Sequence, residues 1–397
     1  MRKISAHLII DGLGNCFPKG ILSVDQSGRI TDIVDTKGIL NESAEVEFYS
    51  GVIVPGFVNA HCHLELSHLK DAFSEGGGMV PFLKKVVKSR ASEPERIIKS
   101  TENADLMMFK EGIVAVGDIS NETSSFEIKS QSKIDYFTFI EILGFDPDRA
   151  VNAFERAMDC LKSAENLGLK ASIVPHAPYS VSTSLFNAIS SEARKTGSPI
   201  SYHSQESTEE DELYLKGSGD LFNLFRDDLG INTSSFKPTG KGALQSTLKY
   251  FPEQNNLLLI HNLYTNQSDL DYIASKRKLS NTWFVLCPGS NLFIQNKLPD
   301  IALFRNNHLQ ICLGTDSLVS NHQLSILEEM KILQNFFPSI TLEEMTGWAT
   351  FNGANALGIN EWAGSIEVGK RPGINLLTGL DIVGKKLLPG TKVKKLC

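Results

Sequence analysis

From residue 55 to about residue 361 the chain alternates short, nearly unbroken apolar runs with longer stretches of helical periodicity. The runs are "PGFVNAHCH", "IVAVGDIS", "YFTFIEILG", "LKASIVPHAPYS", "PISYHSQES", "NNLLLIHNLYT", "TWFVLCPGSN" and "LQICLGTDS". Each is dense in Val, Ile, Leu or Phe, which predicts strands buried on both faces. Helix-length segments such as "RAVNAFERAMDCLKSAENLG" and "SLFNAISSEARKTG" separate them. An eightfold βα alternation of this kind predicts an α/β fold, a (β/α)8 TIM-type barrel. The rival, an open doubly wound sheet, calls for a glycine-rich phosphate turn after an early strand. None is present: the triple glycine of "SEGGGMVPFL" follows no strand and reads as a loop feeding a helix.

The flanks carry a different pattern. Residues 1–54 hold short runs with turn punctuation, "AHLIIDGLG", "GILSVDQSGRITDIV" and "EVEFYSGVIV", and residues 362–397 return to it in "GSIEVGKRPGINLLTG". Such runs predict strands. The two flanks are expected to form a small composite β-sandwich beside a barrel of residues 55–361. The stretch 207–243, rich in Ser, Gly, Asp and Glu, exceeds an ordinary βα loop and predicts an insertion that covers the substrate.

Composition narrows the classes. A chain of 397 residues with 41% hydrophobic and 21% charged positions has the balance of an ordinary globular protein. Net charge is -7, with Lys and Arg scattered, so no basic stripe offers itself to nucleic acid. No segment reaches the roughly 20 apolar residues of a membrane span. The apolar stretch near the start is interrupted by His7 and closed at Asp11, too early for a signal-peptide core, and a cytoplasmic protein is expected. Six cysteines without a C-x-x-C pair predict reduced, mostly buried thiols and no disulfide framework or zinc knuckle.

The chemistry sits at the strand ends. Alternate side chains of a strand share a face, so His61 and His63 can converge while Cys62 turns away. Active sites of such barrels gather at the C-terminal ends of the strands. There the runs place His61 and His63, Asp118, Glu141, His176, His203, His261, the "CPGSN" turn and Asp316, and five of the nine histidines fall in this set. His61, His63, His203 and Asp316 form a nitrogen and oxygen set suited to one divalent ion, zinc first and iron as the alternative. An ion of this kind lowers the pKa of its water to about 7. Asp316 is expected to take the water's proton, His261 to orient the water, and Glu206, three residues past His203, to act as general acid. For Glu206 the competing reading is a solvated acid among "ESTEEDE". His176, beside Tyr179 in a proline-stiffened turn, is expected to contact substrate. Asp118 and Glu141 read as structural acceptors, and Met107, Met108 and the 221–225 stretch as packing.

The ordered motifs "PGFVNAHCHLE", "HAPYS", "HSQES", "HN" at 261, "CPGSN", "GTDSL" and "GSIEVGK" resemble the amidohydrolase superfamily, in the branch of adenosine, guanine and triazine deaminases and chlorohydrolases. The resemblance covers nearly the whole chain. It implies a metal-dependent barrel with a composite β-sandwich and hydrolytic removal of an exocyclic group from a heteroaromatic ring. Carried over, it makes His61, His63, His203 and Asp316 ligands, Glu206 the acid that protonates a ring nitrogen, and His261 the companion of the attacking water. "RPGINLL" after "GSIEVGK" departs from the family's acidic ending and touches only the β unit.

Within the branch, "HCHLELS", "FIEILG" and "GTDSLVSN" are most similar to aminodeoxyfutalosine deaminases. That resemblance implies a purine nucleoside substrate, with Glu65, His176 and Asn321 as candidates for gripping base or ribose, and a homodimer. The alternatives are guanine or S-adenosylhomocysteine/methylthioadenosine deamination, triazine dechlorination, cyclic amide hydrolysis, and a catalytically silent scaffold.

Overall fold

The computed structural model describes residues 1–40 and 45–397. Strands β1 (Arg2–Ile10), β2 (Cys16–Pro18), β3 (Ile21–Val24), β4 (Ile30–Val34) and β5 (Val46–Pro55) open the chain. Eight more follow: β6 (Phe57–Cys62), β7 (Ile113–Ser120), β8 (Asp135–Ile142), β9 (Lys170–Pro175), β10 (Ile200–Ser204), β11 (Leu257–His261), β12 (Thr282–Leu286) and β13 (Gln310–Leu313). Two short strands, β14 (Ile374–Thr378) and β15 (Lys392–Lys395), come last. The eight central strands coincide with the eight apolar runs. Their burial agrees with the pattern, since every residue of β6, β10, β11 and β12 is buried.

The central strands are parallel and form two four-stranded sheets, β6-β7-β8-β9 and β10-β11-β12-β13. Backbone contacts join the sheets at both margins. On one side His203 N donates to His176 O at 2.9 Å. On the other, Thr315 N and Asp316 N both donate to His61 O, at 3.0 and 3.1 Å, and Cys62 forms a parallel bridge with Asp316. Both margins therefore meet at residues named above as candidate ligands or substrate contacts.

Helices return the chain between strands: α1 (Met79–Ser89), α2 (Pro94–Lys110), α3 (Phe126–Gln131), α4 (Ala150–Asn166), α5 (Thr183–Thr196) and α6 (Thr208–Lys216) precede β11. In α4, Ala150, Ala153, Ala157, Leu161 and Ala164 are the buried positions, a stripe at three- and four-residue spacing that faces the sheet. Small side chains let the helix lie close. In α5 the Ser182 hydroxyl accepts the Leu185 N–H, and Gly197 at φ 67° ends the helix by donating to Ala193 O, the usual left-handed stop.

The remaining seven strands form one sheet in the order β15-β14-β5-β1-β3-β4, with β2 also on β1. β1 and β5 run parallel with an irregularity between Ala6 and Leu8. The extra residue of this bulge lies on β5, opposite His7, and across it the side chains of β1 change faces. Ile4, Ala6 and Ile9 join one cluster with Leu22, Val24 and Ile374. Leu8 and Ile10, with Val52 and Val54, face the main core that the central strands share.

The 207–243 stretch is helical at its start and well packed. Leu213, Tyr214, Leu221, Leu224 and Phe225 are buried in a cluster with Phe145 and Tyr179. The 221–225 residues thus serve packing, as the pattern suggests. All six cysteines are free thiols, but only Cys62, Cys287 and Cys312 are buried, so half of them do not meet the expectation of burial. No helix among the described residues is long and apolar enough to cross a membrane.

Candidate metal centre and its surroundings

His61 on β6 and His63 just beyond its end lie on one side of the chain, their rings 4.9 Å apart. His203 on β10 stands 4.8 Å from the His61 ring and brings its Nε2 within 3.3 Å of His63 Nε2. Asp316 follows β13 and places Oδ1 at 3.7 Å from His61 Nε2 and 3.4 Å from His63 Nε2. All four side chains are buried. His261, at the end of β11, is 6.0 Å from the His61 ring. The ligand atoms of His61, His63 and Asp316 lie within 4.8 Å of one another, as do those of His61, His203 and His261.

The donor set tests whether a cation fits. Both ring nitrogens of His61 are buried without a hydrogen-bond partner, an arrangement proteins avoid unless something else satisfies the atoms. Burial drives His63 and His203 toward the neutral form. Burial would raise the Asp316 carboxyl, but the histidines around it hold it well below its ordinary range. Neutral imidazole lone pairs and one carboxylate therefore converge on one point, the chemistry that binds zinc or a similar ion.

Asp316, His203 and His261 are held from behind. Ser290 Oγ and Ser320 Oγ both donate to Asp316 Oδ2 at 2.6 Å, leaving Oδ1 toward the histidines. His203 Nδ1 donates to His176 O at 2.9 Å, which fixes Nε2 as the free acceptor. His261 Nδ1 donates to Asn291 Oδ1 at 2.8 Å, so its Nε2 is likewise an acceptor. Such partners set the tautomer and aim of metal-binding rings. Gln205, His261, Asn262 and Asp316 all take positive φ, between 52° and 74°. Residues in this region cluster where a site over-determines the backbone.

Glu206 reaches the same centre, its Oε1 3.4 Å from His261 Nε2. Burial pushes its carboxyl well up, aided by the nearby Asp316 and Glu210. It is not a solvated acid. The turn carrying it is clamped by Glu210, whose carboxylate accepts the N–H groups of Gln205, Glu206 and Ser207 at 3.0, 2.8 and 3.1 Å. Gln205 adds contacts to Asp269 and Thr265 at 2.8 and 2.6 Å.

The candidate substrate contacts fare differently. His176 stands beside the cluster, 4.8 Å from the His203 ring, with Nδ1 2.8 Å from Ser180 Oγ. Glu65 is near but engaged: Arg90 pairs with one oxygen and Asn121 N donates to the other at 3.1 Å. Asn321 spends its amide nitrogen on Thr315 O and Glu329 Oε1, at 2.8 and 2.7 Å. Both Glu65 oxygens and the Asn321 amide nitrogen thus have partners within the protein. Glu141 lies closer to the cluster than a purely structural acid would, with Oε1 3.5 Å from His203 Nδ1. Sequence reasoning missed Asn291, Ser290 and Ser320, although "CPGSN" was flagged as a strand-end turn, and it missed Arg90 altogether.

With this geometry in place, comparison with known proteins becomes specific. An adenosine deaminase of Helicobacter pylori is 31% identical over 333 residues, 83% of this chain and 79% of that protein. An aminodeoxyfutalosine deaminase of Nitratiruptor sp. is 29% identical, again over 83% of this chain and 79% of the relative. In three dimensions, the crystal structure of Helicobacter pylori aminofutalosine deaminase in complex with methylthio-coformycin superposes with a TM-score of 0.82 at 26% identity, covering 96% of this chain and 93% of that one. Residues 52–394 match the amidohydrolase family, and the chain belongs to that family.

Proposed function

We propose that the protein is a metal-dependent aminohydrolase that removes the 6-amino group of a purine nucleoside, with aminodeoxyfutalosine as the leading substrate. The carrying observation is the pair Glu206 and His261, 3.4 Å apart, beside a buried convergence of three histidines and one aspartate. The names of the relatives, all acting on adenosine-type nucleosides, support the same reading.

His61, His63, His203 and Asp316 would hold one divalent ion, zinc by preference. Bound there, such an ion supplies a water whose pKa is lowered to about 7. The chain's own residues do the rest. Glu206, kept protonated by burial, donates its proton to the ring nitrogen next to the amino-bearing carbon, which makes that carbon electrophilic. His261, whose pKa burial lowers to about 4 and whose one proton points from Nδ1 to Asn291, accepts a hydrogen bond from the attacking water at Nε2 and aims it. Asp316 Oδ1 takes one of the water's protons and passes it to the amino group, so that the C–N bond breaks and ammonia leaves; the second, on the oxygen now bound to the ring carbon, returns to Glu206 as the C=O forms. Glu141 and His176 are placed to line the substrate.

We also read the two parallel sheets as one closed (β/α)8 barrel of residues 55–361. The hydrogen bonds at both margins support closure. The β unit of residues 1–54 and 362–397 stands at its side.

The test is ammonia release by zinc-loaded protein across aminodeoxyfutalosine, adenosine, 5'-methylthioadenosine, S-adenosylhomocysteine, 5'-deoxyadenosine, guanine and a chlorotriazine. Turnover of 6-aminopurine nucleosides, with kcat/KM above about 10⁴ M⁻¹s⁻¹ for the best of them, is expected. Turnover confined to guanine or the triazine would overturn the substrate class.

A further inference from the structure

β6 and β7 run side by side only as far as the pair Cys62 and Asp118, and their register is irregular between Asn59 and Cys62. The chain leaves the sheet at His63, whose φ of -119° and ψ of 78° turn it into the 3-10 helix Leu64–Leu69. The ladder itself does not hold this exit. A side chain does: Asp118 Oδ1 accepts the Leu64 N–H at 2.8 Å. That amide belongs to the peptide bond on which His63 ends. His63 is thus anchored before by the strand pair at Cys62 and after by the Asp118 carboxylate.

The second Asp118 oxygen is paired with Lys129, and both side chains are fully buried. Lys129 reaches in from α3. Its ammonium also donates to Ser120 Oγ at 2.7 Å and Thr138 Oγ1 at 3.4 Å, so its three protons have three acceptors. A pair this deep is a poor source of stability, because desolvation opposes the attraction. Its geometry shows a different use. The same Cys62 that faces Asp118 on β7 also forms the bridge with Asp316, so the anchored exit lies beside the turn after β13 that carries a proposed ligand.

We propose that Asp118, braced by Lys129, is a positioning residue of the metal cluster: its Oδ1 fixes the Leu64 amide and thereby the aim of His63 toward His61, His203 and Asp316. This rests on the metal reading above. Asp118 touches neither substrate nor ion, and its effect is on how well the ligands are pre-arranged.

Two double variants separate positioning from stability. Lys129→Met with Asp118→Asn removes both charges but keeps a carbonyl that accepts the Leu64 N–H. Lys129→Met with Asp118→Leu removes both charges and the acceptor. Zinc affinity is read by competition with a chromophoric chelator, and the melting temperature is read on the same proteins without zinc. The Asn pair is expected to bind zinc within about threefold of the wild type. The Leu pair is expected to bind it about 10–100-fold more weakly at a similar melting temperature. Equal, wild-type zinc affinity in both pairs would overturn the inference. If the Leu pair does not fold, Lys129→Met with Asp118→Ala poses the same question with less volume. A wild-type protein that bound no zinc would sink the metal reading itself, and this inference with it.

Discussion

His61 has two buried ring nitrogens and no hydrogen-bond partner for either, an arrangement that a bound ion or water would relieve. Glu206 presents the converse case, a carboxyl that burial pushes well above its ordinary range, 3.4 Å from His261 Nε2. Glu206→Gln preserves shape and removes the exchangeable proton. It is expected to keep zinc content and melting temperature while lowering kcat by about 10²–10⁴-fold, measured by ammonia release and elemental analysis together. Wild-type turnover would remove Glu206 from the mechanism. These residues were legible because strand alternation turns a spacing of two into a shared face. Asn291, Ser290 and Arg90 were not, because each meets its partner across more than twenty residues of chain with no spacing rule to announce it, and Ser320, four residues past Asp316, depends on the local turn. Glu65 illustrates the limit: its position was read, but its pairing with Arg90 depends on where α1 ends.

A residue far from the cluster offers a cleaner titration. Burial, and the charge of Lys133, lower Lys395 from its ordinary value of 10.5 to about 8. Its folded pKa lies below its unfolded one, so between pH 8 and 10.5 the unfolded chain binds more protons and stability rises with pH. The penalty is full below pH 8 and gone above 10.5. Lys395→Met is therefore expected to melt higher than the wild type at pH 7, with the difference shrinking to nothing by about pH 10.5 in a series of thermal melts. A difference that is constant with pH would refute the assignment.

At the scale of elements, the eight central strands were readable from the sequence because burial on both faces leaves no polar alternation to confuse with a helix. The terminal strands were readable as strands, but not their order, which depends on pairings between residues hundreds of positions apart. Gly51 marks one such pairing. It has φ of 149°, and a Cβ there would lie 2.2 Å from Leu377 O on β14. Gly51→Ala forces β5 and β14 apart and is expected to destabilise the protein by about 1–3 kcal/mol, measured by denaturant unfolding. Little change would mean that the sheet yields at that point. The bulge opposite His7 was equally hidden: an extra residue on β5 accompanies a change of face for the later side chains of β1.

For the whole molecule, an ion held by the proposed ligands from β6, β10 and the turn after β13 would tie the two parallel sheets together. Anything that binds only the folded state stabilises it by mass action, by about 4 kcal/mol at a thousandfold excess over Kd. Removing zinc with a chelator is expected to lower the melting temperature by several degrees, and adding zinc back to restore it, while His203→Ala loses this response. A chelator-independent melting curve would count against a shared ion.

The sheet that joins the two ends of the chain sets a schedule for synthesis. β5 pairs with β1 on one edge as soon as both have emerged, but its other edge is covered only by β14, more than three hundred residues later. Throughout translation of the intervening strands and helices, that edge stays open to any passing extended segment. Nascent chains stalled before Ile374 should accordingly be the ones that chaperones retain and that clump when released.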